Sequence, residues 1–172
     1  INDINNTCHL AEAPGGFIES LIHLSGDQTI NIHANSLLSD DKSIPLWNNK
    51  IKKYKIDYLY GRKSTGDICD IPNMLSMIDH IGKSKCELIT GDGGFDYSSD
   101  YSNQEINSLR LIYSEIFMAL NLQKESGTFI CKIFDTFHIE TLKLLYLLNL
   151  SYEKVYLYKP KTSRNCNSEK YI

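Results

Sequence analysis

Apolar and polar positions along the 172-residue chain fall into short blocks whose period switches between that of a strand and that of a helix. Residues 8–12 form a brief apolar run that breaks at Ala13-Pro14-Gly15-Gly16. Phe17, Ile18, Leu21, Ile22 and Leu24 then recur at helical spacing. The pattern predicts a second strand over 29–33 and a long polar connection over 36–65. A helix over 70–81 tolerates Pro72 in its first turn, where no amide is needed. Residues 87–90 predict a strand running into Gly91-Asp92-Gly93-Gly94. The clearest helix is 104–124, with Ile106, Leu109, Ile112, Tyr113, Ile116, Phe117 and Leu120 on one face. Beyond it come a buried strand over 127–134, a helix over 138–149, a strand over 154–158 and the start of another at 169–172. Strands alternating with helices imply one α/β domain, residues 1–172, with a mostly parallel sheet covered on both faces. The connection after the second strand is longer than an ordinary loop, which marks it as functional.

Composition narrows this picture. Hydrophobic residues at 42% are enough for a buried core and exclude a disordered chain. The most apolar stretch, residues 142–150, contains Lys143 and falls well short of the ~20 residues that span a bilayer. The first ten residues have neither the basic start nor the apolar run of a signal peptide. The chain begins at Ile1 rather than Met, so we expect a piece of something longer, with an N-terminal part missing. Five cysteines without a C-x-x-C pair fit neither a disulfide framework nor a zinc site, and they suit a reducing compartment.

The net charge of −3 conceals an asymmetry. Residues 1–121 carry 10 Lys/Arg against 16 Asp/Glu, and residues 122–172 carry 8 against 5. Within the acidic part lies a basic island of Lys42, Lys50, Lys52, Lys53, Lys55, Arg62 and Lys63, interrupted only by Asp57. Trp47, Tyr54, Tyr58 and Tyr60 are interleaved with it. Charge for phosphates and rings for bases is what single-stranded nucleic acid requires; the plainer reading is a solvated loop with anchoring rings.

Two glycine-rich turns sit at strand ends, where sheets of this kind bind ligands. The first, through Gly15 and Gly16, lets backbone approach a ligand and presents a helix N-terminus, but it is neither G-x-G-x-x-G nor a P-loop. The second places the carboxylate of Asp92 beside flexible backbone, as an ordinary Asx turn also would. Lys132 stands out within Phe129-Ile130-Cys131 and Ile133-Phe134. Either it is a desolvated amine able to act as a base, or it sits at a strand end and reaches solvent. Glu169 borders the last apolar run and taken alone is a surface residue.

The order of these features resembles the FtsJ-like, Adrift-type cap-specific mRNA (nucleoside-2′-O-)methyltransferases. The resemblance is carried by AEAPGGF at 11–17, STGDI at 64–68, GDGGFD at 91–96, NQE at 103–105, GTFICKIFDTF at 127–137, LYLLN at 145–149 and KPKTSRNCNSEKY at 159–171. It implies a Rossmann-like fold that uses S-adenosylmethionine, with seven strands, the last of them antiparallel. It also implies a Lys-Asp-Lys-Glu tetrad, matched here by Asp92, Lys132 and Glu169. The first Lys of that tetrad has no counterpart in residues 1–12, so it lies upstream or is lost. By the same matching Ala11, Glu12, Ala13, Pro14, Gly15, Gly16 and Phe17 surround the cofactor, with Asp67 and Ile68 near its nucleoside. Residues 33–36 offer no carboxylate for the ribose hydroxyls, so an amide or hydroxyl serves there, or Asp67 does more of the work. Ser102, Asn103, Gln104 and Asn167 are expected to contact RNA. The activity implied is methyl transfer to the ribose 2′-hydroxyl of a 5′-terminal nucleotide of capped mRNA, without a metal, with Lys132 as general base. A silent RNA- or protein-binding domain, or an enzyme acting on ribosomal or transfer RNA, are the alternatives. The implied partners are capped RNA and proteins of a transcription or capping machinery. Abundant Ile, Asn, Lys and Tyr suit an AT-rich genome; the place of action is intracellular, in host cytoplasm or virion if viral and the nucleus if cellular.

Overall fold

The computed structural model describes residues 4–26, 28–95, 103–164 and 166–172. Its strands are β1 (Asn6–Leu10), β2 (Asn31–Asn35), β3 (Ile56–Leu59), β4 (Cys86–Gly91), β5 (Gln123–Ile133) and β6 (Lys170–Tyr171). Its helices are α1 (Gly16–Ser25), α2 (Ile71–Ile81), α3 (Gln104–Leu122) and α4 (Ile139–Ser151). The strands form one sheet in the order β3-β2-β1-β4-β5-β6. The first five are parallel, and β6 runs antiparallel to β5.

The first two helices carry their stop or start in the sequence. Asp70 caps α2, its side chain accepting from the Asn73 amide at 3.2 Å, with Pro72 in the first turn as predicted. Gly26 and Gly82 end α1 and α2 with positive φ. Three apolar clusters fill the interior. One joins β1 and β4 to α2 and α3 through Cys8, Leu10, Met77, Ile89, Met118 and Leu122. A second packs Ile18 and Leu21 against Ile32, Ala34 and Ile51. A third sets Ile112 and Ile116 against Cys131, Ile133 and Leu148.

Four expectations change. The polar connection at 36–65 contains a strand, β3, which pairs with β2. The second strand is displaced by two residues, to Asn31–Asn35. Residues 154–158 form no strand of the sheet; Tyr158 makes a single antiparallel bridge to Tyr171, so six strands rather than seven are seen among the described residues. The predicted face of α3 is also rotated. Ile112 and Ile116 are buried, whereas Ile106, Tyr113 and Leu120 are exposed. The helix is pressed from two sides, so Leu111, Met118, Ala119 and Leu122 go into the first cluster and even Ser108 and Glu115 are enclosed.

Asn35, at the end of β2, locks three segments that wall the carboxyl edge of the sheet. Its buried amide donates to the carbonyls of Leu59 and Gly66 at 2.9 and 3.0 Å, and its oxygen accepts from the Ala11 amide at 3.3 Å. Replacing it leaves two buried carbonyls and a half-buried amide without this partner. Asn35→Ala is expected to cost about 2–4 kcal/mol in urea unfolding, and an unchanged midpoint would contradict this role.

Candidate active site

Parallel register sets Leu10 beside Gly91 and Gly91 beside Cys131. The residues one step further on, Asp92 and Lys132, therefore emerge side by side at the carboxyl edge. Cys131 and Ile133 point into the third apolar cluster, so strand alternation turns Lys132 to the opposite face. Its Nζ donates to the Asp92 carbonyl at 2.7 Å and lies 3.2 Å from Asp92 Oδ1. With a side chain 15% exposed, Lys132 is neither alone in the core nor free in solvent. On its other flank it pairs with Tyr171, whose hydroxyl lies 3.3 Å from Asp92 Oδ1 and 3.5 Å from Glu169 Oε1. Phe17 packs edge-on against that ring at 5.9 Å. Burial pushes the Asp92 carboxyl above its usual range, with the charge of Lys132 working against the shift. Burial also raises the Tyr171 phenol, which stays a donor.

Asp92, Lys132 and Glu169 line one cavity of about 660 Å³, together with Ala11, Ala13, Pro14, Asp67 and Ile68. The remaining residues of the first glycine turn do not line it. Gly15 adopts φ +106° with the Ile51 side chain where a Cβ would stand; Gly16 and Phe17 open α1. Asn35 is consumed by backbone, so it has no amide to offer a ribose. Ser36, Leu37, Asp41 and Ser43 reach the cavity instead. Asp41 was hidden inside the polar connection. Its Oδ1 accepts from the Ser43 amide at 2.9 Å, which holds the carboxyl below its usual range.

Glu12 turns away from the cavity into the sheet, with no exposed surface. Its Oε1 accepts from the Phe17 amide at 2.7 Å and its Oε2 from the Thr90 hydroxyl at 3.3 Å. Thr90 in turn contacts His9 Nδ1 at 2.8 Å, and His9 Nε2 contacts Thr7 at 3.1 Å. Burial pushes Glu12 up to about 8, reinforced by the charge of Asp92, and lowers His9 to about 3. The pair is therefore neutral at pH 7 and braces the turn without importing charge.

Of the residues expected at the RNA, Ser102 lies outside the described residues. Asn103 precedes α3 without a side-chain cap bond. Gln104 lines the cavity and accepts from the Ser168 hydroxyl at 3.0 Å. Asn167 is exposed beside the site, its side chain taken up by Lys159 and Ser163. The basic island divides. Lys50 and Lys63 pair with Glu19 and Asp70 at 3.2 and 2.6 Å, while Trp47 and Tyr58 pack into the second apolar cluster. Tyr54 stays exposed under Lys53, whose Nζ lies 5.1 Å from the ring centre.

A family model described as FtsJ-like methyltransferase matches residues 1–172. The chain belongs to that family. Similar proteins include cap-specific mRNA (nucleoside-2′-O-)-methyltransferase 1 of Caenorhabditis elegans, 34% identical over 92% of this chain. Methyltransferase 2 of Mus musculus, of the same description, is 33% identical over 97% of it, and methyltransferase 1 of Trypanosoma cruzi 31% over 92%. The chain spans 18%, 23% and 44% of the lengths of these relatives. A solved structure from Plasmodium falciparum, described as a ribosomal RNA methyltransferase, superposes with a TM-score of 0.63 at 15% identity, covering 97% of this chain and 83% of that one. This likeness extends the family assignment to the fold.

The neutral Glu12 has a consequence for stability. The folded chain keeps this proton to about pH 8, whereas an ordinary Glu releases it near 4.5. Stability therefore falls as pH rises through that window and levels off above it. Glu12→Gln, which mimics the protonated form, is expected to flatten the decline of melting temperature between about pH 5 and about pH 9. Parallel curves for the two proteins would contradict the assignment.

Proposed function

We propose that the chain transfers a methyl group from S-adenosylmethionine to the ribose 2′-hydroxyl of a 5′-terminal nucleotide of capped mRNA. The observation that carries this reading is the Lys132–Asp92 contact, with Glu169 close by, at the wall of a cavity that also meets the first glycine turn. Its relatives' descriptions supply the substrate class.

The cavity suits such a donor. Ala11, Ala13 and Pro14 give a close-fitting backbone wall, Ile68 an apolar surface, and Asp67 and Asp41 carboxylates for ribose hydroxyls. S-adenosylmethionine, when bound, supplies an electrophilic methyl on a sulfonium that leaves as a neutral thioether. The chain's own task is the other half of the reaction. A 2′-hydroxyl is a weak nucleophile at neutral pH and needs a base aimed at its proton. Lys132, in its amine form, accepts that proton as the oxygen attacks. Asp92 holds the amine from one side and then stabilises the ammonium. Glu169, linked to Asp92 through Tyr171, orients the incoming ribose. Gln104, at the cavity edge, and Asn103 and Asn167 beside it hold the RNA; Ser102 joins them by sequence matching. Capped RNA is thus the principal partner, and proteins of the transcription or capping machinery are the natural source of it, wherever in the cell capped transcripts are made.

Lys132→Ala is expected to lower methyl transfer to capped RNA at least about a hundredfold, with S-adenosylmethionine affinity, read by calorimetry, largely retained. Unchanged turnover would sink the mechanism. Equal transfer to capped and uncapped RNA would favour a ribosomal or transfer RNA substrate. In the same assay Tyr171→Phe, which removes the hydroxyl between the two carboxylates, is expected to lose about tenfold in kcat, and a variant equal to wild type would deny the hydroxyl a role.

A further inference from the structure

Glu115 lies in the body of α3, where a helical Glu ordinarily faces water, yet none of its surface is exposed. Its Oε1 accepts from the Gly93 amide at 2.9 Å and its Oε2 from the Cys131 thiol at 3.4 Å. Gly93 directly follows Asp92, and Cys131 directly precedes Lys132. One carboxylate thus bonds to the chain neighbour of each member of the central pair, through an amide on one side and a thiol on the other. The second glycine turn is shaped around it. A Cβ on Gly91 would stand 2.9 Å from Glu115 Cδ, and one on Gly93 would stand 2.7 Å from Oε1. The glycine at 91 therefore makes room for the carboxylate, and the one at 93 makes room for it together with the Leu111 side chain.

An apolar side chain would fill this site at less cost, because a buried carboxyl loses its hydration. Glu115 forms no ion pair among the described residues. The charged and titratable groups that face it are Asp92 from the turn after β4, Cys131 and Lys132 from β5, and Cys69 from the loop before α2. Of these only Lys132 is a cation.

Building on the reading of Lys132 as the base, we propose that Glu115 is a positioning residue of the methyl-transfer centre. It holds the Gly93 amide and the Cys131 thiol so that Asp92 and Lys132 meet, and its charge bears on how readily Lys132 gives up its proton. Burial pushes its carboxyl up to about 7, so that charge changes within the working range of such an enzyme.

Two variants separate positioning from mere packing. Glu115→Ala removes the acceptor for the Gly93 amide and is expected to lower kcat about ten- to a hundredfold, with KM for S-adenosylmethionine changed less than about threefold. Glu115→Gln keeps an oxygen for that amide and is expected to recover most of kcat. The rising limb of its pH–rate profile should lie at lower pH, because no negative charge then favours the Lys132 ammonium. The inference is overturned by an Ala variant that folds and keeps wild-type kcat, or by a Gln variant whose pH profile superimposes on wild type. An Ala variant that fails to fold leaves the decision to the Gln profile. Titration of the isotope-labelled Lys132 side chain by NMR needs no substrate. A midpoint displaced downward in Glu115→Gln upholds the coupling, and equal midpoints overturn it. A displaced midpoint in a protein that methylates no RNA would refute the proposed function while leaving the coupling between Glu115 and Lys132 standing.

Discussion

Leu10, Gly91 and Cys131 lie on one rung of three adjacent parallel strands, and the residues that matter most, Asp92 and Lys132, follow immediately beyond it. Because strand register is fixed by which face is buried, a slip of one residue would send Lys132 into the apolar cluster and bring Cys131 to the cavity. The same register sets Tyr171 of the antiparallel β6 against Lys132 from the other side. The 3.2 Å contact between Lys132 and Asp92 is thus a consequence of sheet geometry, and the surrounding loops are arranged to preserve it.

Two buried carboxyls do much of that arranging, one under each glycine turn. Glu12 holds the Phe17 amide from inside the sheet, and Glu115 holds the Gly93 amide from α3. Among the described residues neither has a cation partner of its own, and burial raises both toward or above neutral pH. Such groups are costly to enclose, so each marks a place where backbone position outweighs stability. Asn35 does the same for the third wall without charge, through three backbone bonds.

Much of the fold was legible because its elements follow simple periods. The two glycine turns stand at strand ends, Asp70 and Pro72 announce α2, and Lys132 is conspicuous in its apolar strand. What escaped shares a physical cause: polar residues whose partners are distant in sequence. In β3, four residues long, Asp57 reads as loop, yet it lies 2.8 Å from both His33 and His80. The apolar face of α3 reads as one stripe because a periodic pattern assumes one packing partner, whereas the helix meets two clusters. Glu115 was invisible on that logic, since nothing nearby in the chain distinguishes it from a solvated Glu. Its only trace in the sequence is the glycines at 91 and 93. Glu169 reads alone as surface, and only the matched motif drew it to the site.

The central claim is that this cavity delivers a methyl group to a ribose oxygen under the control of Lys132. The most direct measurement is to label capped RNA with isotopic methyl, digest it with alkali and locate the label. Methylation of a 2′-oxygen blocks cleavage of the following phosphodiester, so the account predicts label in an alkali-resistant, cap-containing fragment. Label on a base, on the cap guanine or in internal nucleotides would contradict it.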